Sequence, residues 1–162
     1  MAMARKSRTY TDAQLAKLDE FRDRARAEPL DWFKHDSNAR NDDGLRRLVV
    51  GRGMEAYGRY WWLIELLAAR KEHYITVDSE LDWRILARDM SSPVEDIGVD
   101  ECKGFIRALA QLGLIDRECF EESHRIINNR ICRNAHELAE STAQSMFKGW
   151  LSGLARRGMS TD

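Results

Sequence analysis

Leu114-Ile115-Asp116-Arg117-Glu118-Cys119-Phe120-Glu121-Glu122-Ser123-His124-Arg125-Ile126-Ile127 is the stretch on which the reading of the chain turns. Leu114–Asp116 and His124–Ile127 have the short, β-branched character of strands, and the charged residues 117–123 between them read as a loop. The stretch therefore predicts a two-stranded β-ribbon. Just before it, Val99, Cys102, Phe105, Ile106, Leu109 and Leu112 recur at three- and four-residue steps up to Gly113, which predicts an amphipathic helix with a glycine stop. Ser92-Pro93-Val94-Glu95 combines a capping residue, a proline and a glutamate in the order of a helix start, so a helical turn is expected there.

Upstream, Tyr74–Val77 reads as a short strand, and Asp78 can cap a helix carrying Leu81, Ile85, Leu86 and Met90. Met54 to Arg70 is the most apolar stretch and predicts the central core helix, with Trp61 and Trp62 in the core. Leu45, Leu48 and Val49 mark a shorter helix closed by Gly51 and Gly53, with Asp42 or Asp43 as its cap. Leu30–His35 reads as a strand or extended segment. Thr11 and Gln14 form a capping-box signal for a helix over 12–27 that Pro29 stops. At the other end, Ile131, Ala135, Leu138, Thr142, Met146, Trp150 and Leu154 place one apolar stripe on a helix of roughly 25 residues, about 35–40 Å long.

From Asp42 to Ile127 the order is helix, helix, strand, helix, helix, β-ribbon. That is the order of a winged helix, although several all-α or α+β arrangements share it. The expected fold is mainly α with a small β-ribbon: a winged helix-turn-helix flanked by N- and C-terminal helices. The expected domains are a basic arm and N-terminal helix at 1–29, a winged-helix domain at 30–130, and a C-terminal helix and tail at 131–162.

The chain has 162 residues, 43% hydrophobic and 33% charged, which excludes a wholly disordered polymer. No apolar run approaches the ~18 residues of a membrane span, and no apolar segment follows the basic N-terminus, so a cytoplasmic protein without membrane contact is expected. The three cysteines, Cys102, Cys119 and Cys132, form no CxxC pair and are expected as reduced thiols. The net charge of −1 is a sum over unlike parts. Residues 94–122 hold eight acidic and three basic side chains, a net −5, so the remainder is +4.

Three segments carry a family resemblance: Trp32-Phe33-Lys34-His35-Asp36-Ser37-Asn38-Ala39-Arg40-Asn41-Asp42, Gly53-Met54-Glu55-Ala56-Tyr57-Gly58-Arg59-Tyr60-Trp61-Trp62-Leu63-Ile64-Glu65, and Leu112-Gly113-Leu114-Ile115-Asp116. Over about residues 31–130 the chain resembles the N-terminal winged-helix domain of prophage-encoded replication proteins, the replisome organisers with DnaD-like relatives. The resemblance implies a non-enzymatic module of phage or prophage DNA replication initiation, binding DNA or replication proteins such as a helicase or its loader. The sequence departs from a usual helix-turn-helix in the connection from Asp89 to Val99, which exceeds the motif's three or four residues.

In a winged helix the third helix meets the major groove. Its candidate contact stripe here is Lys103, Arg107 and Gln111, the positions left by the core set. Asp100 and Glu101 stand at the end that would enter the groove, a placement that suits a helix N-terminus but opposes phosphate. Other candidate DNA contacts are Arg46 and Arg47, which with Arg52 and Arg59 surround the first two domain helices, Arg125, Arg130 and Arg133 on and after the wing, and Arg5, Lys6 and Arg8 as an arm. Leu138, Met146, Trp150 and Leu154 are the candidate oligomerisation face, because an apolar helix outside the domain needs a partner. The rival reading is an interaction module or scaffold that docks a protein through the winged helix without touching DNA. A contiguous basic surface would favour DNA, and arginines paired with acids would favour protein contact.

Other chemistry finds little footing. Asp36, Asn38 and Asp42 are oxygen donors, but Arg40 and Arg47 occupy positions where an EF-hand needs ligands, so the run reads as caps and turns, with Arg40 paired to a neighbouring carboxylate. Cys119, His124, Cys132 and His136 lack knuckle-like spacing for zinc. Gly51-Arg52-Gly53 is no phosphate loop, and no serine, cysteine or histidine stands in a nucleophile motif. No catalytic residue, metal or cofactor is expected.

Overall fold

The computed structural model describes residues 10–158, which form two units, one of residues 28–135 and one that joins the N-terminal residues through 27 to those from 136 onward. Among the described residues are seven α-helices and one two-stranded antiparallel sheet. No helix among them is long and apolar enough to cross a membrane.

In the 28–135 unit, a 3₁₀ turn (Ala39–Asn41) leads into α2 (Asp43–Arg52) and α3 (Met54–Ala68), followed by β1 (Tyr74–Thr76), α4 (Glu80–Asp89), α5 (Val99–Gln111), α6 (Arg117–Ser123), β2 (Arg125–Ile127) and the first turns of α7 (Asn129–Arg156). Local chemistry sets most of the helix starts. Asp42 accepts from the Leu45 N–H at 3.0 Å, and Asp116 caps α6 by accepting from Cys119 N at 2.9 Å. Ser79, rather than the expected Asp78, caps α4, in a capping box with Asp82. Gly53 turns α2 into α3 at φ 82°, a left-handed backbone that glycine reaches without a Cβ penalty. Gly44 is required by space instead. A Cβ there would stand 2.9 Å from the Leu112 carbonyl, where α2 meets the end of α5.

The core of this unit gathers Leu45 and Leu48 from α2, Leu63, Ile64 and Leu67 from α3, Leu86 from α4, Phe105, Ile106 and Leu109 from α5, and Ile126 and Ile131 beyond. Burial at that scale is the main source of stability, at about 1.5–3 kcal/mol for each fully buried large side chain. In the other unit, α1 (Asp12–Arg26) packs Leu18 against Ala143 and Phe147 of α7, with Tyr10, Phe21, Trp150 and Leu151 around them. The Thr11–Gln14 capping box forms as expected.

Several expectations are corrected. The ribbon does not pair residues 114–116 with 124–127. Instead β1 pairs antiparallel with β2 in the register Tyr74–Ile127, Ile75–Ile126, Thr76–Arg125. Residues 117–123 are helix, not loop, because Asp116 caps them and Phe120 packs edge-on to Trp83 at 6.4 Å between centroids. Residues 92–95 make a tight turn rather than a helix start, with Ser92 and Glu95 exchanging backbone hydrogen bonds across Pro93, and α5 begins only at Val99. Of the two alternatives for residues 30–35, strand or extended segment, the strand is not formed. Trp61 is half-buried among Phe33, His35, Tyr57 and Tyr60, but Trp62 is 43% exposed and donates its indole N–H to the Asp89 carbonyl at 2.9 Å.

Candidate functional site

The helix expected to read a groove, α5, is clamped on both flanks. On one flank the Arg59 guanidinium of α3 binds Glu55 at 2.5 Å and Glu101 at 2.6 Å, with Glu95 3.9 Å away and the Phe105 ring beneath it at 5.9 Å. On the other, Lys103 binds Glu80 of α4 at 2.6 Å and lies 5.9 Å from the Trp83 ring centre. That hydrogen bond holds the Glu80 carboxyl below its ordinary range. Of the expected stripe, Lys103 is thus committed to α4, while Arg107 and Gln111 are exposed and make no side-chain ion pair or hydrogen bond among the described residues. Arg52 donates to the Gly104 carbonyl at 3.3 Å, closing a third side.

The remaining candidates divide in the same way. Arg47 pairs with Asp43 at 2.8 Å and Arg130 with Asp36 at 3.2 Å. Asp36 therefore takes its arginine from the start of α7, and Arg40, expected to pair with a neighbouring carboxylate, makes no ion pair among the described residues. Arg46 and Arg133 are exposed and have no acidic partner among the described residues, and Arg125 lies over the Tyr74 ring at 4.8 Å. Arg5, Lys6 and Arg8 lie outside the described residues. In the unit that contains α1, Leu138, Met146, Trp150 and Leu154 are half-buried, and Trp150 stacks on Phe147 at 5.7 Å in the cluster with Leu18. Of these four, Trp150 packs in the cluster that α7 forms with Leu18 and Phe21 of α1.

Two features lie beyond the residues singled out from sequence. Asn128 is buried; its Nδ2 donates to the Leu114 carbonyl at 2.8 Å and to Tyr60 Oη at 3.2 Å, and its Oδ1 accepts from the N–H groups of Arg130 and Ile131. Only its place just before the apolar stripe of α7 announced a cap. The second is an apolar groove along α2 and α3, lined by Arg40, Leu45, Arg46, Val49, Val50, Met54 and Tyr57. Its signal was the pair Val49-Val50: neighbours on a helix point about 100° apart, so both cannot face one core.

Burial pushes the Cys102 thiol up to about 11 and raises Cys119 and Cys132 as well, which keeps all three protonated near neutrality. His124 Nδ1 stands 3.1 Å from Asp78, and among the described residues no three His, Cys, Asp or Glu side chains converge on a metal-sized site.

No curated protein and no solved structure matches the chain. Residues 32–131, more than half of its length and most of the larger unit, match the model described as Lin1244/Lin1753-like, N-terminal, and the chain belongs to that family.

Proposed function

We propose that the chain is a non-enzymatic protein of phage-type DNA replication whose 28–135 unit is a modified winged helix that docks a protein partner. The order α3, β1, α4, α5, β2 supports the fold reading. So does the bond from Asp116 N to the Ile127 carbonyl at 2.8 Å, which sets residues 114–116 beside β2 as the third strand of a winged helix would lie. In this reading α6 stands where the wing would be, and it carries Glu118, Glu121 and Glu122.

The observation that carries protein docking is the charge on α5 and α6. The helix placed to enter a groove starts with Asp100 and Glu101, has Lys103 neutralised by Glu80, and presents Arg107 as its one unpaired cation. It is followed by an acidic helix rather than a basic wing. Such a face repels a phosphate backbone. A second reading, DNA contact away from α5, is favoured by Arg46, Arg125 and Arg133, which are exposed and unpaired by acids.

Fluorescence anisotropy with a labelled duplex of about 30 base pairs, titrated with the full chain at about 50 and about 200 mM salt, separates the two. Docking predicts no saturable binding at the lower salt. Saturable binding that weakens steeply at the higher salt, and that R125E/R133E abolishes, would replace docking by DNA contact.

A further inference from the structure

Gly53 bends the chain so that α2 and α3 open a groove of about 410 Å³ between them. Its walls are Leu45, Val49, Val50, Met54 and Tyr57. Val50 is 89% exposed and Met54 69% exposed, although both are large apolar side chains on well-formed helices. Arg46 and Val50 stand one helical turn apart on α2, so cation and apolar surface share one face there, and Met54 opens α3 across the Gly53 turn. Arg40 and Arg46 border the groove without ion pairs among the described residues, and no described acidic side chain lines it. Arg47, Arg59, Lys103 and Arg130 of the same unit are neutralised by carboxylates, so Arg40 and Arg46 belong with Arg107, Arg125 and Arg133 among its cations without a described acidic partner, and of these they are the two that border an apolar groove.

We infer that this groove binds an acidic amphipathic helix of a partner protein, its apolar side chains seated on Val50, Met54 and Tyr57 and its carboxylates on Arg40 and Arg46. The inference rests on the docking reading above and names its partner chemistry. An apolar trough takes helix residues at i, i+3 or i+4 and i+7. The guanidinium forks at its rim select carboxylates and reject a cationic helix. Met54 is unbranched and adapts to the shape of the anchor it meets.

The test uses the full chain and two labelled peptides of about 12 residues, each with leucine at i, i+4 and i+7, one otherwise glutamate-rich and the other its lysine-rich twin. Saturable binding of the acidic peptide is expected, with the lysine twin at least about tenfold weaker. V50D and R46E should each weaken the acidic peptide by about tenfold or more, with the far-ultraviolet circular dichroism unchanged because both side chains are exposed. Equal affinity for the twins, retained affinity in V50D, or no saturable binding of the acidic peptide would each overturn the inference. So would a dimer of the full chain, seen in sedimentation without peptide, that V50D dissolves, since the groove would then belong to a second copy. If both the peptide and the DNA duplex fail to bind, the groove assignment alone falls, whereas saturable duplex binding defeats the docking reading itself.

Discussion

Asn128 shows how much one amide can organise. Its oxygen caps α7 at Arg130 and Ile131, and its nitrogen satisfies the Leu114 carbonyl and reaches Tyr60. Every polar atom of this buried side chain is thereby paired, and burial raises the Tyr60 phenol above its ordinary value, so that it stays neutral within the cluster. Asn128→Ala removes the cap and strands the Leu114 carbonyl away from water. The expected cost is about 2–3 kcal/mol, from about 1 for the cap and about 1–2 for the orphaned acceptor. Asn128→Asp keeps the acceptor but loses the donor, and should fall between wild type and alanine. Urea unfolding of the three proteins measures this order, and an alanine variant within about 0.5 kcal/mol of wild type would show the cluster to be dispensable.

At the scale of elements, what could be read in the sequence follows from how local the cause is. The helices α1, α5 and α7 were legible because each repeats its apolar positions over several turns, and α1 announces itself with Thr11 and Gln14. The β pairing was not legible, since residues 74–76 and 125–127 are three-residue strands far apart in sequence and nothing within either names its partner. Helix α6 was missed because a seven-residue segment, four of its residues charged, barely sustains a helix alone, and the docking of Phe120 on Trp83 has no sequence signature. Its one local sign was Asp116 with Glu118 in the first turn. Of the candidate site, the acidity of residues 94–122 was visible by counting, but the capture of Lys103 by Glu80 was not, because α4 and α5 meet only in the fold.

The pairing of α1 with α7 also has an electrostatic lock. Arg22 meets Glu140 in a two-pronged contact at 2.8 and 2.9 Å, which, helped by a bond from Gln144, holds the Glu140 carboxyl down at about 2. A carboxyl lowered in the folded state contributes stability that is present above its unfolded value of 4.5 and disappears as pH falls toward about 2. Helicity followed from pH 7 to about pH 2 should therefore decline for the wild type across that window. Glu140→Gln should start lower at neutral pH and lose less across it. Parallel curves for the two proteins would remove Glu140 from the acid response.

For the molecule as a whole, the two units differ in how much they bury. The 28–135 unit has Leu63, Leu67, Phe105, Ile106, Leu109, Ile126 and Ile131 almost wholly out of water. The unit of α1 and the later turns of α7 centres on Leu18, Ala143 and Phe147. Free energies of local opening scale with such burial, so the units should open separately. α7 makes this measurable within one helix, because its residues 129–135 belong to the larger unit and its later turns to the smaller. In native-state hydrogen exchange, amides near Ile131–Ala135 should be protected like those of α5, and amides near Phe147–Leu151 should exchange at least about tenfold faster, a difference of about 1.4 kcal/mol. Amides of α1 should match the later turns of α7, since each helix covers the other's apolar face. The Glu140→Gln change should widen the gap at neutral pH without altering exchange in α5. Uniform protection along α7, unchanged by Glu140→Gln, would mean that the chain opens as one cooperative body and that the smaller cluster draws its stability from the larger core.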